Sequence, residues 1–124
     1  MKIDQQVTNL ELSKRLKELG LPQKGLWRWV EYNVCGKTTY DIYSKFKIIT
    51  AIEDCWKFKK ICVAPTVAEL GEVLPKGTVS FLTENKAHCE YNYCHTKADT
   101  EANTRAIMAI YLIEQGILKF EGVE

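Results

Sequence analysis

The sequence predicts an α+β fold: an antiparallel sheet of about five strands with three helices packed on it, in the order α-β-β-β-α-β-β-α. Three observations carry this. Apolar residues recur at helical spacing in residues 7–20, 66–74 and 99–116, each time between a capping residue and a glycine or proline stop. Strand-like stretches lie between them, the clearest with apolar and lysine residues in alternation. Turn-forming residues punctuate those stretches at Gly36, at Pro75-Lys76-Gly77 and at Glu84-Asn85-Lys86. At 124 residues the chain has the length of one domain, residues 1–124.

The first helix, over residues 7–20, opens on a capping box formed by Thr8 and Glu11 and closes at Gly20 and Pro22. Leu12, Leu16 and Leu19 form its apolar stripe. Lys14, Arg15, Lys17 and Glu18 read as a solvated face, because no second helix follows at helix-turn-helix distance. A strand is expected over 26–32, with Trp27 and Trp29 on one side and Arg28, Val30 and Tyr32 on the other. After a turn at Gly36, extended chain runs from 38 to about 50, and a third strand follows a reversal at Glu53-Asp54. Lys45, Lys47, Lys57 and Lys59 should share one side of the sheet, opposite Phe46, Ile48, Trp56 and Phe58.

A capping box of Thr66 and Glu69 starts the second helix, which stops before Pro75. Residues 78–83 and 88–96 then read as two strands. In the last helix, capped by Asp99 or Thr100, the stripe is Ala102, Ala106, Ile110 and Ile113, and Gly116 ends it. Met108 and Leu112 lie off that stripe, and leaving them in water would forgo roughly 1.5–3 kcal/mol each. A homo-oligomer paired through the helix from Thr100 to Gln115 is the expected cover, with the N-terminal helix as the competing one.

Composition narrows the function. The chain is 46% hydrophobic and 27% charged, as in soluble globular proteins. No apolar run approaches the roughly 20 residues of a membrane span, and the N-terminus does not read as a signal peptide, so no membrane partner is expected. Five cysteines at irregular spacing read as reduced thiols in a cytosol. The net charge of +1 hides an asymmetry: 12 Lys or Arg against 7 Asp or Glu in residues 1–62, but 5 against 9 in residues 63–124. Such a split suits an anion-binding face or head-to-tail association.

Residues 66–75 (Thr-Val-Ala-Glu-Leu-Gly-Glu-Val-Leu-Pro), 98–114 and 8–19 resemble segments of small bacteriophage and prophage accessory proteins. The resemblance covers about a third of the chain, in its three helices. It implies a phage accessory protein acting in the bacterial host cytoplasm, where such proteins often inhibit host defence by capturing a signal molecule or a partner. It transfers no catalytic residue.

His88, Cys89, Cys94 and His95 invite a zinc reading. On one continuous strand, however, His88 and Cys94 would share one face and Cys89 and His95 the other, so four ligands would not converge. No metal and no cofactor are expected. A cysteine nucleophile lacks a histidine base within reach, and no phosphate loop or hydrolase motif occurs. No catalytic residue is therefore assigned. The most informative group is aromatic and basic: Trp27, Arg28, Trp29, Tyr32, Tyr40, Tyr43, Lys45, Lys47, Lys57 and Lys59. Aromatic faces stack on bases and lysines neutralise phosphates, while near-neutral net charge argues against extended duplex binding. The expectation is a non-enzymatic binding protein. Its ligand is a small anionic or nucleotide-like molecule, or its partner a host defence protein. The alternatives are a nucleic-acid-binding regulator and, third, a hydrolase of a nucleotide signal.

Overall fold

The computed structural model describes residues 3–34, 36–44 and 58–119. In chain order these form α1 (Ile3–Gln6), α2 (Leu10–Glu18), β1 (Trp27–Val34), β2 (Lys37–Ser44), β3 (Phe58–Val63), α3 (Val67–Val73), β4 (Val79–Leu82), β5 (Ala87–Tyr91), β6 (Cys94–Ala98) and α4 (Glu101–Glu114). None of the described helices is long and apolar enough to cross a membrane.

The α+β class holds, but the single sheet does not. Among the described residues, two three-stranded antiparallel sheets form instead, in the orders β2-β1-β3 and β4-β5-β6. Part of the difference lies in residues 88–96, expected as one strand and found as a hairpin. Asn92 (φ 45°) and Tyr93 (φ 70°) both adopt left-handed backbone, the signature of a two-residue turn between twisted strands. The turn reverses the chain inside the suspected zinc segment. His88 and His95 thereby come to the outer face of the second sheet, and Cys89 and Cys94 to the inner one; this corrects the expected pairing of His88 with Cys94 and of Cys89 with His95, while the four residues still divide between two faces. Tyr93 is fully exposed and has no packing to lose. Tyr93→Gly is therefore expected to stabilise the fold by about 0.5–1 kcal/mol, since glycine adopts φ > 0 freely. Thermal denaturation measures it, and a lower melting temperature would contradict the turn geometry.

The helix signals mostly stand. Thr66 and Glu69 make both halves of the capping box on α3. Thr100 caps α4, accepting from the Asn103 amide, and Gly116 at φ 76° ends it. The cap of α2 is different from the one expected. Asn9 is the capping residue, its side chain accepting from the Leu12 amide, while Thr8 is fully buried. The Thr8 hydroxyl donates to the Pro65 carbonyl at 3.0 Å, and the Thr8 carbonyl accepts from Ser13 Oγ (3.1 Å) and Trp29 Nε1 (3.0 Å). The Pro65 carbonyl also accepts from the Thr8 amide at 2.9 Å, and it gives the buried hydroxyl a partner that a solvated helix end does not have to provide.

The core forms around α4. Ala102, Ala106 and Ala109 are fully buried, and their small side chains let neighbouring elements approach closely. Met108 and Leu112 are fully buried as well, in a cluster with Leu16 of α2, Leu21 just beyond it, Leu70 of α3, Leu74 and Cys89 of β5. Two helices and a sheet thus surround α4 within one chain. This corrects the expectation that Met108 and Leu112 need a second subunit: the competing cover supplied by α2, joined by α3, suffices.

A candidate anion-binding cleft

The first sheet turns one side toward α2. Alternation along β1 puts Trp27, Trp29 and Glu31 on that side, and the register sets Glu31 between Tyr40 of β2 and Lys59 of β3. Across from this row, α2 presents Leu10, Ser13, Lys14 and Lys17, spaced for one helical face. Near its start the helix and the sheet close on each other, where Ser13 is buried and Trp29 donates to Thr8. Farther along they part around a cleft of about 380 Å³ lined by Lys14, Lys17, Glu18, Glu31, Tyr40, Lys59 and Ile61.

Each wall contributes defined chemistry. Tyr40 donates its hydroxyl to Glu31 Oε1 at 3.1 Å, which fixes the ring, and this bond to the carboxylate pushes the Tyr40 pKa up. Lys14 Nζ stands 5.8 Å from the centre of the same ring, within cation–π range. Lys17 Nζ donates to the Ile61 carbonyl at 2.7 Å, tying α2 to the bulge where β3 slips against β1. The lining therefore holds three ammonium groups against two carboxylates, beside an aromatic face that is 45% exposed.

The aromatic and basic group proposed from the sequence divides across the sheet. Tyr40 and Lys59 line the cleft. The Trp29 indole N–H is spent on the Thr8 carbonyl, and Trp27 is half-buried beside it in the strand. Arg28, Tyr32 and Tyr43 belong to the opposite side, where the Tyr32 and Tyr43 rings lie 6.2 Å apart and Arg28 donates to the Gln23 carbonyl. Lys45, Lys47 and Lys57 lie outside the described residues, as do Phe46, Ile48 and Trp56, so the expected sorting of lysines from apolar residues rests on Lys59 alone. Lys14 and Lys17 are the residues that sequence reading placed in solvent. Their spacing from Leu10 and Ser13 was the available signal, because it gives α2 a second inward face beside the leucine stripe.

No family model matches the chain, and neither a curated protein nor a solved structure does.

Other candidates carry less chemistry. A larger cavity of about 530 Å³ lies near α1, the start of α3 and the start of α4, and Gln5, Leu82, Asp99 and Glu101 are among its lining. Its carboxylates are already engaged: Lys86 binds Asp99 at 2.6 Å and holds its carboxyl below the usual range, and Arg105 and Ser80 bind Glu101. Burial pushes the Cys62 and Cys89 thiols up, away from the thiolate that a nucleophile needs.

Proposed function

We propose that the protein is a non-enzymatic binding protein that holds a compact anionic, nucleotide-like ligand in the cleft between α2 and the first sheet. The observation that supports it best is the meeting of Lys14, Lys17 and Lys59 around the fixed ring of Tyr40. Ammonium groups recognise phosphate oxygens as point charges, and an exposed aromatic ring accepts a base by stacking. A cleft of about 380 Å³ falls in the size range of small-molecule sites. Glu18 and Glu31 limit the charge such a site accepts, which favours a single compact anion over a polyanionic strand. The resemblance of the helical segments to phage accessory proteins fits capture of a nucleotide-like defence signal inside a bacterial host, with blockade of a host defence protein as the related role.

Calorimetric titration with adenosine and guanosine monophosphates and their cyclic forms tests the proposal. Replacing Lys14 and Lys59 together by Met is expected to weaken binding about 10–100-fold, the loss of one or two charge-assisted contacts. The fold should be unchanged, because Lys59 is exposed and Lys14 is only half-buried. Equal affinity in the double variant would remove the cleft from consideration.

A further inference from the structure

The outer face of the second sheet carries a contact that the cleft does not use. His88 Nδ1 and His95 Nε2 are 2.8 Å apart. Their ring planes agree within 8° and the ring centres are 5.0 Å apart. That separation nearly equals the N···N distance plus two ring radii, so the rings meet edge to edge in one plane with a single proton between them.

One tautomer satisfies every contact at once. With the Thr83 hydroxyl donating to the Lys86 carbonyl at 3.1 Å, it accepts at its other contact, 3.0 Å from His88 Nε2. In that arrangement His88 carries its proton on Nε2 and presents the Nδ1 lone pair to His95. On the other side, the Phe81 ring lies parallel to His88 with centres 4.8 Å apart and holds the imidazole upright. A ring nitrogen that presents its lone pair while its far N–H is anchored on an oxygen is the arrangement that metal-bound histidines adopt.

We propose that His88 and His95 form a two-nitrogen clamp for a divalent transition-metal ion, with copper(II) held most tightly. Two imidazole nitrogens bound side by side at about 2.0–2.1 Å from a metal stand roughly 3 Å apart, close to the spacing already present. Turning each ring by roughly 45°, as two ligands at a right angle require, takes the lone pairs from each other to a common point. The proton that His95 holds on Nε2 moves to its own Nδ1, so both rings stay neutral and no proton is lost. Water completes the shell, since His95 is exposed and no group of three or more His, Cys, Asp or Glu is assembled among the described residues. Glu90, opposite His95, favours the added charge, and Lys97, opposite His88, opposes it. Copper(II) leads because imidazole suits it and because it heads the order of divalent affinities.

Copper(II) sulfate titrated into the full chain at neutral pH, in a non-coordinating buffer, tests this by calorimetry and electron paramagnetic resonance. One saturable site is expected, with hyperfine coupling to two imidazole nitrogens and weaker binding of zinc. His88→Gln and His95→Gln should each weaken it at least tenfold, and Thr83→Val about tenfold by releasing the His88 ring. Circular dichroism confirms that each variant is folded. No saturable site, coupling to fewer than two nitrogens, or binding that survives both histidine substitutions would overturn the clamp.

Discussion

Met108→Lys is expected to abolish folding of the single chain. Met108 is fully buried on α4, in the cluster that includes Leu16, Leu70 and Leu112. An ammonium there finds no carboxylate in that cluster, and it either sheds its proton or remains an unpaired buried charge. The cost is on the order of 5 kcal/mol, comparable with the whole net stability of a small domain. Far-UV circular dichroism and urea unfolding measure it. A folded monomer with the wild-type urea midpoint would show that Met108 is not in the core. A folded protein that had only lost an oligomeric state would restore the interface expected from the sequence.

Arg105→Met is expected to cost about 2–3 kcal/mol through loss of a polar clasp among three elements. The guanidinium donates to the Val67 carbonyl at the start of α3 (3.1 Å) and to Ser80 Oγ of β4 (2.8 and 3.2 Å), and pairs with Glu101 of α4 at 3.3 Å. Gly71 leaves room for it, because a Cβ there would stand 2.6 Å from Nη1. Without the arginine, the Glu101 carboxylate stays partly buried with Ser80 as its remaining partner. Glu101→Gln added to Arg105→Met should therefore cost less than the sum of the two single changes. Strict additivity in urea denaturation would mean that the contacts are independent.

Helix positions were legible in the sequence because their signals are local. The Thr66–Glu69 box and the Thr100 cap with its Gly116 stop need only a few consecutive residues. Thr8 looked equally good as a cap, yet a carbonyl 57 residues away claims its hydroxyl. The hairpin between β5 and β6 was hidden because Asn92-Tyr93 lacks the glycine that usually marks a left-handed turn. That omission also concealed the meeting of His88 with His95. Met108 and Leu112, off the expected stripe of α4, signalled a need for cover beyond one face, and both are fully buried. Whether that cover came from within the chain depended on where α2 and α3 dock, which periodicity does not encode. In the candidate site, Tyr40 and Lys59 were accessible from composition and strand alternation. Lys14 and Lys17 were not, since a lysine beside a leucine stripe has the same local pattern whether it faces water or a cleft.

The anion cleft is tested most directly by what the protein retains from a bacterial extract. The folded chain, bearing an affinity tag, is incubated with extract and washed. Heat-released small molecules are then identified by mass spectrometry, in parallel with the Lys14→Met, Lys59→Met double variant. The cleft predicts a phosphate-bearing molecule with an aromatic base, retained by the wild type and lost from the variant. Retention of the same molecule by both proteins, or of none by the wild type, would contradict it.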